Sequence, residues 1–476
     1  MDTEPNTQLS KHVQVVFDYH ERTKHRLDRP AASLGYMDWA NQPDPFRTFT
    51  GAEQIRLPFP ELRQTPAYGD LFSRPPAAAR IDADFIGRFF FHSLALSAWK
   101  QAPYTQPWSL RINPSSGDLH PTEGYLASGP VPGLLDSPGV FHYAPYSHRL
   151  ERRCALSARQ WARLTDGLPA PCLLVGLSSI HWRESWKYGE RAFRYCHLDV
   201  GHAIGAAAIS ARTLGWKTRL ADTIADEDLN RLLGTHLQRG IEAEHADCLL
   251  VLYPAGAKSD HRAVSSISCD QWRDRIPDGD FTGNPNRLSR DHQQWPVIET
   301  VSQATRKPSR AAAESEPFSS TADSATAGLV AERRLPAERI IRQRRSAVDM
   351  DGRTTLARPA FYQMLHSVLP GQFPFAALAW HPTVSLAIFV HRVEGLPPGL
   401  YLFARTTDHE TRLRQSLQAD FQWQPADGSP RGLRVHRLLA DDTRRMAKVI
   451  SCNQAIAADG AFSLGMLARF DAVLTP

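Results

Sequence analysis

Apolar residues recur at helical spacing from Asp82 to Lys100, DADFIGRFFFHSLALSAWK, and stop at the breaker-rich QAPYTQPW, which predicts a helix followed by a turn. A short strand is expected at Ser109–Ile112, running into the loop NPSSGDLHPTEGYL. Further strands are expected at Gly139–Tyr143 and Cys172–Ser178, the second an uninterrupted apolar run of the kind buried on both faces. The longest helical pattern spans Trp186–Leu214, where Leu198, Val200, Ile204 and Ile209 stand beside Gly201, Gly205 and Ala206 to Ala208. So many small residues let a neighbour approach the backbone closely, which predicts a central helix. Cys248–Tyr253, CLLVLY, closes the region as another buried strand. Helices come first and strands and helices then mix without strict βαβ repetition, so an α+β layered fold is expected.

The pattern breaks once, between about Ser302 and Arg334, where Ser, Ala, Thr and charge replace the large apolar residues. This divides the 476 residues into a first domain, 1–301, a linker, 302–334, and a second domain, 335–476.

Composition narrows the classes. With 42% hydrophobic and 22% charged residues the chain reads as an ordinary globular protein, and a net charge of +5 is too small to argue for nucleic acid or a membrane surface. Six cysteines lack any C-x-x-C pair and read as reduced core residues. Met1–Asp18 lacks the apolar core of a signal peptide and no window reaches the length of a membrane span, so the cytoplasm is the expected location.

The densest chemical signal is Arg111–Glu123, RINPSSGDLHPTE. Pro114 fixes the backbone, Gly117 permits a turn or the close approach of a ligand, and Ser115 and Ser116 offer hydroxyls beside amide groups. The same residues fit a plain strand-to-helix turn with capping serines. No G-x-S-x-G elbow supports a serine hydrolase. Arg339–Ser346, RIIRQRRS, puts basic side chains and a serine on what reads as one helical turn, which suits a phosphate or a solvated basic face. YHERTKHR, Tyr19–Arg26, has the same two meanings. Lys187 and Tyr188 open the long helix as a pair that can act as acid, base or oxyanion partner in a cleft, or lie on the surface. His197 and His202 are five apart, share no helical face as metal ligands, and read as core or edge residues; no metal site is expected. Trp39, Trp99 and Trp108 suit core packing or an interface, or the wall of a planar cofactor.

Taken together, YHERTKH, GYMDWANQPDPFR, RINPSSGDLHPTEGYL, KYGERAFRYCHLDVGH, FTGNPNRLSRDHQQWPVI, RQRRS and DGAFSLGMLARF resemble the SagB/ThcOx-type dehydrogenases of the nitroreductase superfamily, in their double-domain form. The resemblance spans nearly the whole chain apart from the linker. It implies two nitroreductase-like domains that form an internal pseudo-dimer and bind FMN, the phosphate held by an Arg-Arg-Ser turn and the ring by a Pro-Ser-Ser loop. The first domain has the loop, Pro114, Ser115 and Ser116, but an altered turn, ERTKH. The second has the turn, Arg344, Arg345 and Ser346, but PFAALAWHP in place of the loop. One composite cofactor site is therefore expected, with Arg111 and Gly117 beside the loop, and Lys187 and Tyr188 become the candidate catalytic residues. Members of the family usually continue beyond the equivalent of Phe470, so the second domain is expected to be incomplete.

The activity implied is that of an FMN-dependent oxidoreductase, oxidising azoline-type heterocycles in peptides or reducing nitro and quinone compounds with NAD(P)H. A flavin-free partner protein that presents a peptide substrate to other modifying enzymes is the alternative.

Overall fold

The computed structural model describes residues 10–470 except 27, 62–64, 104–105, 258–260, 309–334 and 379, together with residue 474. It has two compact units: residues 1–315, 336–344 and 377–379 form the first, and 316–335, 345–376 and 380–476 the second. Most of the expected linker lies outside the described residues, and its first three residues close the helix Pro296–Ala304.

The first unit opens with helix α1, Lys11–Thr23, capped by the Ser10 side chain. Its centre is a seven-stranded sheet made of β1 (Glu53–Arg56), β4 (Thr122–Ser128), β5 (Gly139–Ala144), β6 (Arg149–Ala155), β7 (Leu173–Ser179), β8 (Trp216–Leu220) and β9 (His245–Pro254). Their order is β1-β6-β5-β4-β7-β9-β8, with every pairing antiparallel. Alternate residues of β7 explain its uninterrupted apolar run. Leu173, Val175 and Leu177 face one core and Leu174 the other, so neither face meets water.

Helix α2, Ala83–Phe91, covers one face of this sheet with Phe85, Ile86, Phe89 and Phe90. It is shorter than the expected Asp82–Lys100. Ser93 Oγ donates to the Phe89 carbonyl, the amides of Leu94 and Ala95 fold back to Phe90, and the chain then leaves as strand β2, Leu96–Lys100, paired with β3, Trp108–Arg111. Cross-strand pairing overrides the helical periodicity of that segment.

The long helical pattern is likewise divided, into α3 (His181–Tyr188) and α4 (Ala192–Thr213), with a short 3₁₀ turn between them. Gly189 makes the break at φ +54°, and a side chain there would run into the Ala32 carbonyl. Lys187 and Tyr188 therefore end a helix and do not begin one. Ala203, Ala207 and Ala211 of α4 are fully buried, which is what its small residues predict.

Helix α5, Ala337–Gln343, read from the sequence as the opening of the second domain, packs with the first unit. Ala337 is buried, Glu338 pairs with Arg88, and Arg342 donates to the Leu96 carbonyl at 2.7 Å while lying over the Phe91 ring.

The second unit is a five-stranded antiparallel sheet of β10 (Val384–Val390), β11 (Gly399–Ala404), β12 (Gln424–Pro425), β13 (Arg434–Ala440) and β14 (Phe462–Ala468), in the order β12-β13-β11-β10-β14. Its core gathers Phe361, Tyr362 and Leu365 from the helix Arg358–His366 against Ile388, Tyr401 and Val435. Among the described residues no helix is long and apolar enough to cross a membrane.

Candidate functional site

The loop after β3 is held by a buried charge cluster. Arg111 is 3% exposed, and its guanidinium donates to the carbonyls of Thr122 at 3.1 Å and Pro45 at 2.5 Å and lies 3.8 Å from Glu123. Arg183 of α3 pairs with the same carboxylate and donates to the His120 carbonyl at 2.8 Å. His142 bridges Glu123 and Glu151 at 3.1 and 3.0 Å. Burial alone would raise Glu123, but the two guanidiniums hold its carboxyl well below the usual range. Burial alone would lower His142, yet its bonds to the two carboxylates hold it up at about 9. Arg111 is thus turned inward beneath the loop.

The loop itself rises from this base. Asn113 is buried, Pro114, Ser115 and Ser116 are half-buried, and Gly117 sits at the exposed tip with φ +63°. Ser115 Oγ accepts from the His120 amide at 2.8 Å. Ser116 donates from its amide to both oxygens of Asp199 at 3.1 Å and from its hydroxyl at 2.8 Å. Asp199 belongs to α4, so that helix sets the height of the loop. A Cβ on Gly117 would stand 2.7 Å from Tyr188 Oη and 2.9 Å from Lys187 Nζ. Lys187 and Tyr188 therefore converge on the one point of the loop that has no side chain. On the far side Asp118 accepts from Trp108, and burial raises its carboxyl above the ordinary value.

Behind the pair lies Glu184, three and four residues earlier on α3 and wholly buried. Neither of its carboxyl oxygens has a hydrogen-bond partner among the described residues. Burial first, and then Asp199, pushes its carboxyl well above the usual range. Burial and then Glu184 raise the Tyr188 phenol.

Sequence reading missed Glu184 and Asp199. The signal was present: Asp199 falls on the stripe of Ala203, Ala207 and Ala211, and Glu184 stands four residues from both Ile180 and Tyr188. A charge on an apolar stripe is a buried charge, and buried charges need an explanation.

The phosphate-turn candidates are placed differently from expectation. α5 ends at Gln343, so Arg344, Arg345 and Ser346 follow the helix and do not share a turn of it. Arg344 Nη2 donates to the Ile112 carbonyl at 2.9 Å, two residues before Pro114. Arg345 and Ser346 are exposed and fall in the second unit. In the altered turn of the first domain, Arg22 pairs with Glu190, and Lys24 and Arg26 pair with Glu21.

Other candidates resolve simply. His197 and His202 are exposed on α4, not in the core. Trp39 and Trp99 are 67% and 52% exposed and Trp108 is half-buried, so none is a core residue. Cys452 is exposed, whereas Cys154, Cys172, Cys196 and Cys269 are buried. No group of three or more His, Cys, Asp or Glu among the described residues could hold a metal ion. A cavity of about 1180 Å³ lies on the other face of α3, lined by His181, Ser185, His245 and Asp247, and neither Lys187 nor Tyr188 lines it.

Lys187 Nζ and Tyr188 Oη meet over a residue without a side chain, beside two half-buried loop residues, Pro114 and Ser115, so that hydrogen-bond donors stand against the loop.

No protein-family profile matches the chain. A protein of Methanocaldococcus jannaschii, provisionally named a nitroreductase, is 29% identical over 128 residues, which is 25% of this chain and 62% of that protein. A crystal structure from Anabaena variabilis, also provisionally described as a nitroreductase, aligns with TM-score 0.63 at 21% identity, covering 96% of this chain and 85% of the other. The Escherichia coli microcin synthetase McbBCD complex with truncated pro-MccB17 bound aligns at TM-score 0.30, with 17% identity over 53% of this chain and 94% of that one, too slight an overlap to argue from. The fold is nitroreductase-like.

Proposed function

We propose that this chain is an FMN-dependent oxidoreductase of the SagB/ThcOx type, which dehydrogenates azoline-type heterocycles in peptides or reduces nitro and quinone compounds with NAD(P)H. The observation that carries the reading is the convergence of Lys187 Nζ and Tyr188 Oη on the bare tip of the Pro114–Gly117 loop. Pro114, Ser115 and Gly117 would face the ring, and Arg344, Arg345 and Ser346 would hold the phosphate. Arg111 supports the loop from beneath. FMN, when bound, would supply the two-electron step.

The residues of the chain then handle protons. Tyr188, its phenol raised by burial and by Glu184, rests protonated and serves as a hydrogen-bond donor and acid toward a heteroatom of the substrate. Lys187 is half-exposed beside it and can exchange protons with solvent. Dehydrogenating an azoline forms a ring C=C bond and removes a proton as well as a hydride; the Lys187 amine would take that proton while the Tyr188 phenol donates a hydrogen bond to the ring nitrogen.

Colour provides the first test. Protein purified without added cofactor should be yellow and release FMN on denaturation. Lys187→Ala and Tyr188→Phe should each keep the flavin content and lower turnover by about 10²-fold or more; unchanged turnover in both removes the assignment. Arg344→Ala with Arg345→Ala should lose flavin.

One observation favours a second reading, a flavin-free partner that presents a peptide to other enzymes. The amide and hydroxyl of Ser116 are already engaged by Asp199 and so are not available to a ring. Colourless protein that refuses added FMN selects this reading.

A further inference from the structure

We propose that Glu184 is a positioning residue for the Lys187–Tyr188 pair: an uncharged carboxylic acid sealed behind it, which leaves Asp199 as the one negative charge at the back of the site. The inference rests on the catalytic assignment of that pair, but its structural core stands on geometry alone. Glu184 is 0% exposed and neither of its oxygens has a hydrogen-bond partner among the described residues. Asp199, 1% exposed, takes three hydrogen bonds from Ser116. Of two neighbouring buried carboxyls, the one supplied with donors ionises and the other keeps its proton, because a bare buried carboxylate is far costlier than a bare buried acid.

The titratable groups around Glu184 come from two helices. Lys187 and Tyr188 belong to its own helix, and Asp199 and Cys196 to α4. Asp199 disfavours a second negative charge and Lys187 favours one. A charged Glu184 would bind the proton of Tyr188 more tightly and fix the ammonium of Lys187 as its counter-ion. An uncharged Glu184 leaves those protons free to pass between the pair and a substrate. The side chain touches neither substrate nor ring and acts through its neighbours.

Infrared spectroscopy tests this without any turnover, so a colourless protein would refute the flavin reading and leave this measurement intact. In the full chain at neutral pH, a protonated carboxyl C=O band should be present, should shift when the glutamates are ¹³C-labelled, and should vanish in Glu184→Gln. Two results would overturn the proposal: no labelled-glutamate band at neutral pH, or a band that survives in Glu184→Gln. Absence of a labelled-glutamate band in the parent protein overturns the proposal even if the variant does not fold.

Discussion

Two buried polar clusters flank the Pro114–Gly117 loop, and they are built on opposite plans. Below it, each carboxylate oxygen of Glu123 and Glu151 has a partner, from Arg183, His142, Gln54 and the Phe49 amide. Above it, Glu184 has no hydrogen-bond partner among the described residues, and Lys187 and Tyr188 close onto the backbone of Gly117. Satisfied charge rigidifies a scaffold; an unpartnered buried polar group is tolerated where chemistry needs it. The comparison separates the residues that hold the loop from those that work across it, although Arg183 of the first group and Glu184 of the second are neighbours in sequence.

The sharpest way to break the contrast is to remove one carboxylate from each cluster. Glu123→Ala leaves Arg111 and Arg183 buried without a counter-charge and should lower stability by about 3–5 kcal/mol in denaturant unfolding. Glu184→Gln exchanges one neutral group for another and should change stability by less than about 1 kcal/mol. Equal losses would erase the distinction between the two clusters.

Acidity gives a second, smaller handle. His142 rises from 6.5 unfolded to about 9 folded, so its contribution is complete below pH 6.5 and is lost as pH climbs through 9. Stability should therefore fall across that window, by up to about 1.4 kcal/mol per pH unit from this group, and His142→Gln should flatten the slope. Glu123 has the opposite sign: its folded value is depressed, so its contribution is present above its unfolded value and fades only in acid.

The smallest expected change concerns the loop tip. Gly117→Ala puts a Cβ into the Lys187 and Tyr188 side chains and strains a left-handed residue, at a cost of about 1–2 kcal/mol. Its diagnostic effect is on turnover, which should fall further than stability does. Equal turnover in the alanine variant would place the pair's working contact elsewhere.

Much of this was legible in the sequence. The apolar runs of β7 and β9, the strand before the loop, and the Asn-Pro-Ser-Ser-Gly tip all declared themselves through patterning and punctuation. What stayed hidden depends on partners remote in sequence. The periodicity through Asp82–Lys100 gives no sign that Leu96–Lys100 pairs with Trp108–Arg111, and the break at Gly189 comes from the nearness of Ala32. The resemblance places Arg111 beside the cofactor loop, and its inward turn depends on Glu123 twelve residues later. The packing of α5 with the first unit rests on Glu338 and Arg342 meeting Arg88 and Leu96, contacts some 250 residues apart.

The joint at Gly189 has one more meaning. Tyr19 of α1 donates to the Glu190 carbonyl at 2.7 Å, Arg22 grips the Glu190 side chain, and the Glu190 amide donates to Ala32 at 3.1 Å. The first stretch of the chain is thus a splint across the elbow on which Tyr188 hangs. Damage in that splint would misaim the phenol while leaving every reacting atom in place, so lesions there belong with faults of alignment.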